Sequence, residues 1–420
     1  MSQSVEESPA PVAVAVVGAG AAGLATAIFA ARRLGPGRVL LLDGAARPGA
    51  KILVSGGSRC NVTNRVVVDR DFNGGPAHLV RRVLRAFTAD ETVEFFREIG
   101  VALHEEEHGK LFPDTGKART VLDALLVEAA RRGVDLRGGR RITGLRRDGT
   151  AFVVATENES WRAERVVVAT GGLSLPKTGS DGGGYEMVRR LGHTLVTPTP
   201  ALVPLVLEGG FHQGLSGVAH EVDLKLAATG ARPVHVRGAL LWTHFGASGP
   251  AILDMSRHLL RARVLRREPR LFANLLPDLR PDAVADLLVE AVRRRPKAGL
   301  GSVLEGRLPV SVIQAVCREQ GIVVAAPLSQ LPRETRQRLV SGLAARELVV
   351  PDSRGYDFAE VTAGGVPLEE VDLRTMESRL CPGLHLVGEI LDVDGRLGGF
   401  NFQWAWSSAQ VAARGLGVGS

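Results

Sequence analysis

The sequence has 420 residues but only three cysteines, few aromatic residues and no internal repeat. Cys60, Cys317 and Cys381 lie far apart and form no CxxC pair, so neither a disulfide framework nor a structural zinc site is expected. We expect no bound metal. Sparse, unpaired cysteine is typical of proteins from a reducing cytoplasm, which is where we expect this chain to act.

Long apolar runs without glycine are also lacking. Residues 12–31 carry no charge and are about as long as a membrane span, but glycines interrupt them. The preceding residues 1–11 are acidic and polar, whereas a signal peptide begins with a basic region. We therefore predict a disordered tail over 1–11 and no association with a membrane.

Positive charge is in excess, with a formal net charge of +7 at pH 7. Arginine supplies most of it, in clusters at 137–147, 257–270 and 293–297 that contain few aromatic residues. Such clusters are explained equally by solvated helix faces and by contacts with a polyanion such as RNA. Composition alone leaves both interpretations open.

The most informative segment runs from Val12 to Gly44. An apolar, β-branched run of strand length is followed at once by Gly18-x-Gly20-x-x-Gly23 and then by a helical pattern. Gly18 allows a tight turn, Gly20 lets a pyrophosphate approach the backbone, and Gly23 permits close helix packing. Asp43 ends the second strand, where a carboxylate can accept hydrogen bonds from a ribose. The segment predicts a dinucleotide-binding half-unit.

The length predicts more than one domain. From Pro198 the pattern changes to short β segments, and proline-interrupted helical patterns follow between 278 and 345. A strand at 384–387 and a helix at 402–414 then return to the first domain. We predict a doubly wound, Rossmann-like domain (12–197 and 359–420), an inserted β-barrel-like domain (198–277 and 346–358) and a helical insert (278–345).

Four glycine-bearing segments lie beside regular elements: GAGAAG at Gly18, GAKILVSGGSRCN at Gly49, ATGG at Ala169, and GEILDVDGRLGGFNFQWAWSS at Gly388. Together they resemble the BaiN/RdsA-type (YhiN-like) NAD(P)/FAD-dependent oxidoreductases, whose corresponding blocks read GRKLLISGGGRCN, GLYFAGEVLDVDG and GGYNFQWAWSSG. The resemblance is nearly full length. It implies a glutathione-reductase-like fold with FAD as the tightly held cofactor.

The resemblance also implies where FAD is held. The first turn would bind the pyrophosphate, Gly388 and Glu389 would lie beside the ribitol, and the helix near Gly399 would direct its N-terminus at the flavin pyrimidine ring. No second GxGxxG is present, so NAD(P)H is expected to visit the flavin transiently. The complete set of expected cofactor contacts is Gly18, Gly20, Ala21, Ala22, Gly23, Asp43, Lys51, Ser55, Gly56, Gly57, Arg59, Cys60, Asn61, Ala169, Thr170, Gly171, Gly388, Glu389, Gly398, Gly399, Phe400 and Asn401.

Two side chains are candidates for catalysis. Cys60 stands between Arg59 and Asn61 and is expected either to protonate a reduced substrate or to be a buried structural thiol. His244 is expected either to polarise a substrate carbonyl or to be a hydrogen-bonded structural histidine.

The expected reaction is reduction of a conjugated C=C bond with electrons from NAD(P)H. The resemblance implies two substrates, uridine in 23S ribosomal RNA and a bile-acid enone, and amine oxidation is an alternative. The excess of arginine favours RNA. A non-enzymatic alternative is an RNA-binding or assembly protein that retains FAD. The oligomeric state is not predicted.

Overall fold

A computed structural model describes residues 11–417. The predicted tail at 1–11 therefore lies outside the described residues except for Pro11. The described residues divide into two compact units, 11–198 with 360–417 and 199–359. The predicted separation of the second unit into a barrel-like part and a helical part stays a prediction.

Strands are numbered along the chain. The first eleven strands are β1 (Val12–Val17), β2 (Val39–Leu42), β3 (Thr63–Asn64), β4 (Phe72–Gly74), β5 (Leu103–Glu106), β6 (Lys110–Pro113), β7 (Asp135–Arg137), β8 (Gly144–Asp148), β9 (Ala151–Ala155), β10 (Ser160–Val168) and β11 (Val196–Ala201). Those of the second unit are β12 (Leu205–Val206), β13 (Ala219–Ala227), β14 (Val234–Thr243), β15 (Gly246–Ser248), β16 (Arg270–Asn274), β17 (Arg346–Leu348) and β18 (Asp352–Ser353). The first unit resumes with β19 (Val361–Gly365), β20 (Val371–Asp372), β21 (Glu377–Ser378), β22 (Leu384–Leu386) and β23 (Val393–Gly395).

Helices follow the same numbering. The first unit contains α1 (Ala21–Leu34), α2 (Ala50–Ser58), α3 (Ala77–Ala86), α4 (Ala89–Glu98), α5 (Ala118–Arg131), α6 (Gly183–Arg190) and, after the second unit, α12 (Phe400–Leu416). The second unit contains α7 (Pro250–Val264), α8 (Pro281–Arg294), α9 (Leu300–Leu304), α10 (Val310–Glu319) and α11 (Arg333–Ala344).

The main sheet of the first unit has the order β20-β21-β22-β10-β1-β2-β7, with β9 paired to β10 and β8 to β9. β22, β10, β1, β2 and β7 are parallel, with Val16 opposite both Val167 and Leu41. The central strands β1 and β2 are continuous apolar runs because helices cover a parallel sheet and bury its residues. The structure confirms the predicted α/β class with a Rossmann-type sheet.

The second unit contains a seven-stranded antiparallel sheet of order β17-β16-β13-β14-β15-β12-β18. β14 is one continuous strand, in which Gly238 continues the pairing with Val222 of β13. Trp242 is fully buried in the core of this unit and donates its indole N–H to His220 Nε2 over 3.0 Å. Its helices α8 to α11 lie between residues 281 and 344.

None of the helices described in residues 11–417 combines the length and the apolar character needed to cross a bilayer.

Candidate nucleotide-binding site

The turn between β1 and α1 is tightly packed at two of its three glycines. A Cβ atom on Gly18 would lie 2.5 Å from Ala169 O, and one on Gly23 would lie 1.7 Å from Gly18 O. At Gly20, by contrast, no atom lies within 4 Å of where a Cβ would be. The turn is therefore packed at Gly18 and Gly23 but open at Gly20. A ligand that approaches the backbone needs such an opening.

The N-terminus of α1 is an electropositive surface. Gly20 is its N-cap and makes no side-chain capping bond, and the first turn contains no acidic residue. Ala21, Ala22 and Gly23 belong to that turn, whose N–H groups have no acceptor within the helix. Unpaired N–H groups and the helix dipole together favour an anion at this position.

Asp43 follows β2 and faces the same turn. One carboxylate oxygen accepts the Ala19 N–H at 2.5 Å and the other accepts the Ala45 N–H at 2.7 Å. Each oxygen keeps a second lone pair. Asp43 thus fixes the turn and can still accept hydrogen bonds from ligand hydroxyl groups.

The segment after β10 supplies the neighbouring wall. Ala169 packs beneath Gly18, and Gly171 follows Thr170 into the next turn. Thr170 Oγ1 is buried without a hydrogen-bond partner, and so is Ser180 Oγ. Buried hydroxyl groups without partners are uncommon and mark a place where a ligand or water completes the bonding.

A polar network, not foreseen from the sequence, joins the ends of β10 and β22. Lys51 Nζ lies 2.6 Å from Glu389 Oε2 and donates to Ser174 Oγ over 2.5 Å. Ser174 Oγ donates to Glu389 Oε1 over 2.7 Å, and the Thr362 N–H donates to the same oxygen over 2.8 Å. Lys51 and Glu389 are therefore engaged with each other, and they shape the site through this network.

Gly388 is held by the final helix. Its N–H donates to Ser408 Oγ over 3.0 Å, and its carbonyl accepts the Trp404 indole N–H over 3.1 Å. Trp406 similarly donates to Val62 O over 2.9 Å. α12 therefore fixes both the Gly388 turn and the loop after α2.

The glycine-rich loop expected at 51–61 begins as α2, which loses helical geometry at Ser55, Gly56 and Gly57. Ser55 Oγ donates to the carbonyl of Ile52, a residue buried in the core. Arg59 is exposed, pairs with Glu106 at 2.6 Å and stacks on Phe112, with its Cζ 4.1 Å from the ring centroid.

Asn61 is 8 % exposed, and within the described part of the chain no group donates a hydrogen bond to its Oδ1 atom. A Cβ on Gly399 would lie 2.9 Å from that oxygen, so the two residues are adjacent. Gly399 is the N-cap of α12 and makes no side-chain capping bond. The structure therefore brings a buried acceptor and an uncapped helix N-terminus together.

The side chains of Phe400 and Asn401, at the start of α12, make contacts within the protein. The Phe400 side chain is fully buried, with its ring centroid 6.1 Å from that of Phe72. The Asn401 amide makes two bonds to the Gly395 backbone, of 2.8 and 2.9 Å, and the Gly398 carbonyl accepts a bond from Asn64. The cofactor contact expected at Phe400 stays a prediction, and with this side chain buried it would be made by the backbone at the helix start.

The side chain of Cys60 is fully buried in the core. Burial raises the pKa of the thiol to about 12, with a smaller opposing effect from the hydrogen bond to Ser55. The geometry supports the structural alternative for Cys60 and argues against a general acid. His244 lies on the exposed surface of the second unit, with its ring 5.1 Å from that of Phe245.

The parallel sheet, the glycine turn and the acid at the end of β2 define a Rossmann-type nucleotide-binding protein. Residues 12–415 match the model of the HI0933-like protein Rossmann domain, and the chain belongs to this family. The predicted family resemblance is thereby confirmed.

Two curated relatives illustrate the family. A 3-dehydro-bile acid delta(4,6)-reductase of Clostridium scindens is 33 % identical over 403 residues, which cover 96 % of this chain and 98 % of the relative. A ribosomal RNA dihydrouridine synthase of Escherichia coli is 34 % identical over 403 residues, covering 96 % and 97 %. The chain is an enzyme of the oxidoreductase class, as predicted.

Solved structures resemble the chain more distantly. A flavocytochrome c3 fumarate reductase has 14 % identity and a TM-score of 0.46, covering 98 % of this chain and 79 % of its own. A 3-ketosteroid delta1-dehydrogenase of Sterolibacterium denitrificans has 12 % identity and a TM-score of 0.48, covering 96 % and 99 %. Similarities this low give no information about the substrate of this chain.

Proposed function

We propose that this chain is an FAD-dependent reductase that uses NAD(P)H to reduce a conjugated C=C bond, with uridine in ribosomal RNA as its substrate. One observation carries the proposal: the ends of β1, β10 and β22, on neighbouring parallel strands, surround a glycine turn that is open at Gly20. The names of the relatives indicate the reaction class. We place the activity in the cytoplasm, where ribosomal RNA is made and used by bacteria.

The residues present fit a flavin dinucleotide. A pyrophosphate fits the uncapped N-terminus of α1, and a ribose fits the free lone pairs of Asp43. The Asn61 acceptor without a donor suits the imide N–H of a flavin pyrimidine ring. The N-terminus of α12 beside it would stabilise negative charge on that ring.

When bound, FAD would supply hydride transfer between a nicotinamide and a carbon acceptor. Reduction of the uracil C5=C6 bond adds a hydride to one carbon and a proton to the other, while NAD(P)H becomes NAD(P)+. The protein must therefore hold the base and deliver a proton. Cys60 is buried, and the predicted role of His244 in polarising a substrate carbonyl stays part of the proposal.

The proposal is tested with purified protein and with cells. We expect visible flavin absorbance, release of FAD on heating, and bleaching of the flavin by NADH or NADPH without oxygen. Deletion of the gene should remove a dihydrouridine from 23S ribosomal RNA, detected by mass spectrometry, and the wild-type gene should restore it. A colourless protein that gains no flavin absorbance with excess FAD would refute the cofactor, and an unchanged dihydrouridine profile would refute the RNA substrate.

The second candidate function is reduction of a small conjugated enone. It is favoured by the Clostridium scindens relative, whose identity and coverage match those of the RNA-modifying relative. Steady-state assays with a steroid dienone and with ribosomal RNA from the deletion strain separate the two. Turnover of the dienone alone would establish the small-molecule function.

A further inference from the structure

A stacked arginine in the second unit has no acceptor for its side chain. Arg354 Cζ lies 3.8 Å from the ring centroid of Phe358 and 4.5 Å from that of Phe245. The guanidinium group of Arg354 therefore contacts both aromatic rings. Such contacts attract the guanidinium cation without engaging its N–H groups. These groups lie in the plane of the guanidinium and point away from its centre.

Those N–H groups are unused. Among the described residues, the Arg354 guanidinium donates no hydrogen bond and forms no ion pair; only its backbone N–H is engaged, with Pro204 O at 2.9 Å. The side chain is half-buried, so it has lost part of its hydration. Other arginines of the same unit are paired, since Arg346 pairs with Glu319 and Arg270 with Glu347 at the opposite edge of the sheet. A desolvated guanidinium without an acceptor indicates an oxyanion that arrives with a ligand.

The sheet fixes the position of this group. β12 pairs with β15 on one side and with β18 on the other, and Leu205 is opposite both Ala247 and Ser353. Phe245 immediately precedes β15, and Arg354 immediately follows β18. Arg354 thus directly follows a strand that is paired within the sheet, and this pairing fixes the position of its backbone.

An exposed aromatic ring accompanies the cation. Phe358 is 49 % exposed although it is a large apolar side chain, and His244 next to Phe245 is exposed as well. The unit around them is basic: residues 199–359 contain 21 lysines and arginines but 15 aspartates and glutamates, which is +6 of the net charge of +7. A partly exposed aromatic ring that contacts an unpaired guanidinium on one side matches the way proteins bind unpaired nucleotides.

We infer that Arg354 and Phe358 form a nucleotide-binding subsite for single-stranded RNA, in which Arg354 binds a backbone phosphate and Phe358 stacks on a base. The inference rests on the proposed RNA substrate. A carboxylate on a small molecule would also satisfy the guanidinium, but it would explain neither the exposed ring nor the basic unit around it.

The test uses full-length protein with its bound flavin and a fluorescently labelled oligouridylate. Anisotropy titrations at several salt concentrations give the affinity and its salt dependence. Arg354→Gln should weaken binding about tenfold and reduce the salt slope by about 0.7, as expected for one lost phosphate contact on a single strand. Phe358→Ala should weaken binding about fivefold or more without changing the slope, because stacking releases no counterions.

Two further variants guard against misinterpretation. Arg232→Gln removes one exposed charge from the same unit, on the turn between β13 and β14, and should change affinity less than about twofold. Arg354→Lys keeps the charge but loses the flat fork, so it should retain the salt slope with reduced affinity. Flavin content and melting temperature show whether each variant is folded.

The outcomes separate the two hypotheses. If wild-type protein binds RNA and the deletion strain lacks a dihydrouridine, but Arg354→Gln behaves like Arg232→Gln, the subsite is wrong and the proposed function stands. If wild-type protein binds no oligouridylate at low salt and the dihydrouridine profile is unchanged, the RNA substrate fails and the subsite fails with it. If Arg354→Gln weakens binding of a carboxylated steroid but not of oligouridylate, the RNA assignment is overturned.

Discussion

At the scale of single residues, the glycines of the first turn differ in what a methyl group would meet. Gly20 faces open space, whereas Gly23 lies against the Gly18 carbonyl. The two positions look alike in the sequence because both belong to the same GxGxxG pattern. Their contacts separate a ligand-facing glycine from a packing glycine.

We predict that Gly20→Val folds normally but loses FAD, because its side chain would occupy the space expected for the pyrophosphate. Gly23→Val should instead prevent folding, since the overlap would cost about 3 kcal/mol or more. Flavin absorbance per protein and thermal unfolding measure the two effects. Full flavin occupancy in Gly20→Val would contradict the assignment of the open space.

For Cys60 we predict that substitution by alanine leaves flavin-normalised turnover within about twofold of wild type. Loss of the buried sulfur should lower the free energy of unfolding by about 1 kcal/mol. His244→Ala should slow turnover about 100-fold, the usual effect of removing an acid or base. A large loss of turnover in a folded, flavin-loaded Cys60→Ala would restore the thiol as the acid.

The buried thiol also predicts a pH dependence. Burial raises the pKa of Cys60 to about 12 from its ordinary 9.0, so the unfolded state ionises first. The stability contributed by burying the neutral thiol is complete below pH 9 and decreases as the pH rises from 9 towards 12. At pH 8 iodoacetamide should modify Cys60 only after unfolding, which peptide mass spectrometry can follow.

At the scale of elements, α12 connects the site to the core. Its indole groups hold Gly388 O and Val62 O, and Gln403 accepts from Thr63 Oγ1 over 2.6 Å. Both tryptophans of this helix are buried in the core. Their N–H groups also determine the shape of two loops in the candidate site.

Trp404→Phe keeps the apolar packing and leaves the Gly388 carbonyl without its donor. A lost hydrogen bond of about 1 kcal/mol predicts FAD affinity reduced about fivefold, measured by fluorescence titration of apoprotein. Trp161→Phe on β10 is the matched control, because this indole is only half-buried and lies away from Gly388. Equal affinities in the two variants would show that the Trp404 bond does not shape the site.

Sequence reasoning succeeded where one local pattern determines one element. The β1–α1–β2 segment has its strand, turn and helix within about 30 residues, and its pattern predicted all three. The Lys51–Glu389 network could not be predicted, because Ser174 and Thr362 are separated by 188 residues and neither lies in a periodic pattern. The sequence left the burial of Cys60 open because its neighbours are polar and the left-handed backbone at Gly56, Gly57 and Ser58 changes the chain direction before it.

At the scale of the whole molecule, most of the net positive charge comes from residues 199–359. The predicted phosphate contacts at 293–297 are only partly available, because Arg293 and Arg294 both pair with Glu290. Hydrogen bonds from these arginines lower the pKa of Glu290 to about 2, so the acid stays ionised at neutral pH. Arg295 and Lys297 beyond them are exposed.

We predict that Arg295→Glu combined with Lys297→Glu weakens binding of ribosomal RNA about tenfold at low salt, and that the difference shrinks as salt is added. The matched control, Arg82→Glu with Arg85→Glu, reverses the same charge on exposed residues of α3 and should have a smaller effect. Flavin content should be unchanged in both. Equal losses of affinity would indicate that RNA binding follows total charge and not the second unit.

The pairing of β10 with β22 sets an order of events during protein synthesis. Val166 to Val168 must find partners at residues 384–386, and the helix that fixes the site is made last. At a translation rate of about 5–20 residues per second, this strand edge stays unpaired for roughly 10–40 s after it is made. An exposed apolar edge is a starting point for aggregation, so a nascent chain of this protein has a defined interval in which it needs protection by a chaperone.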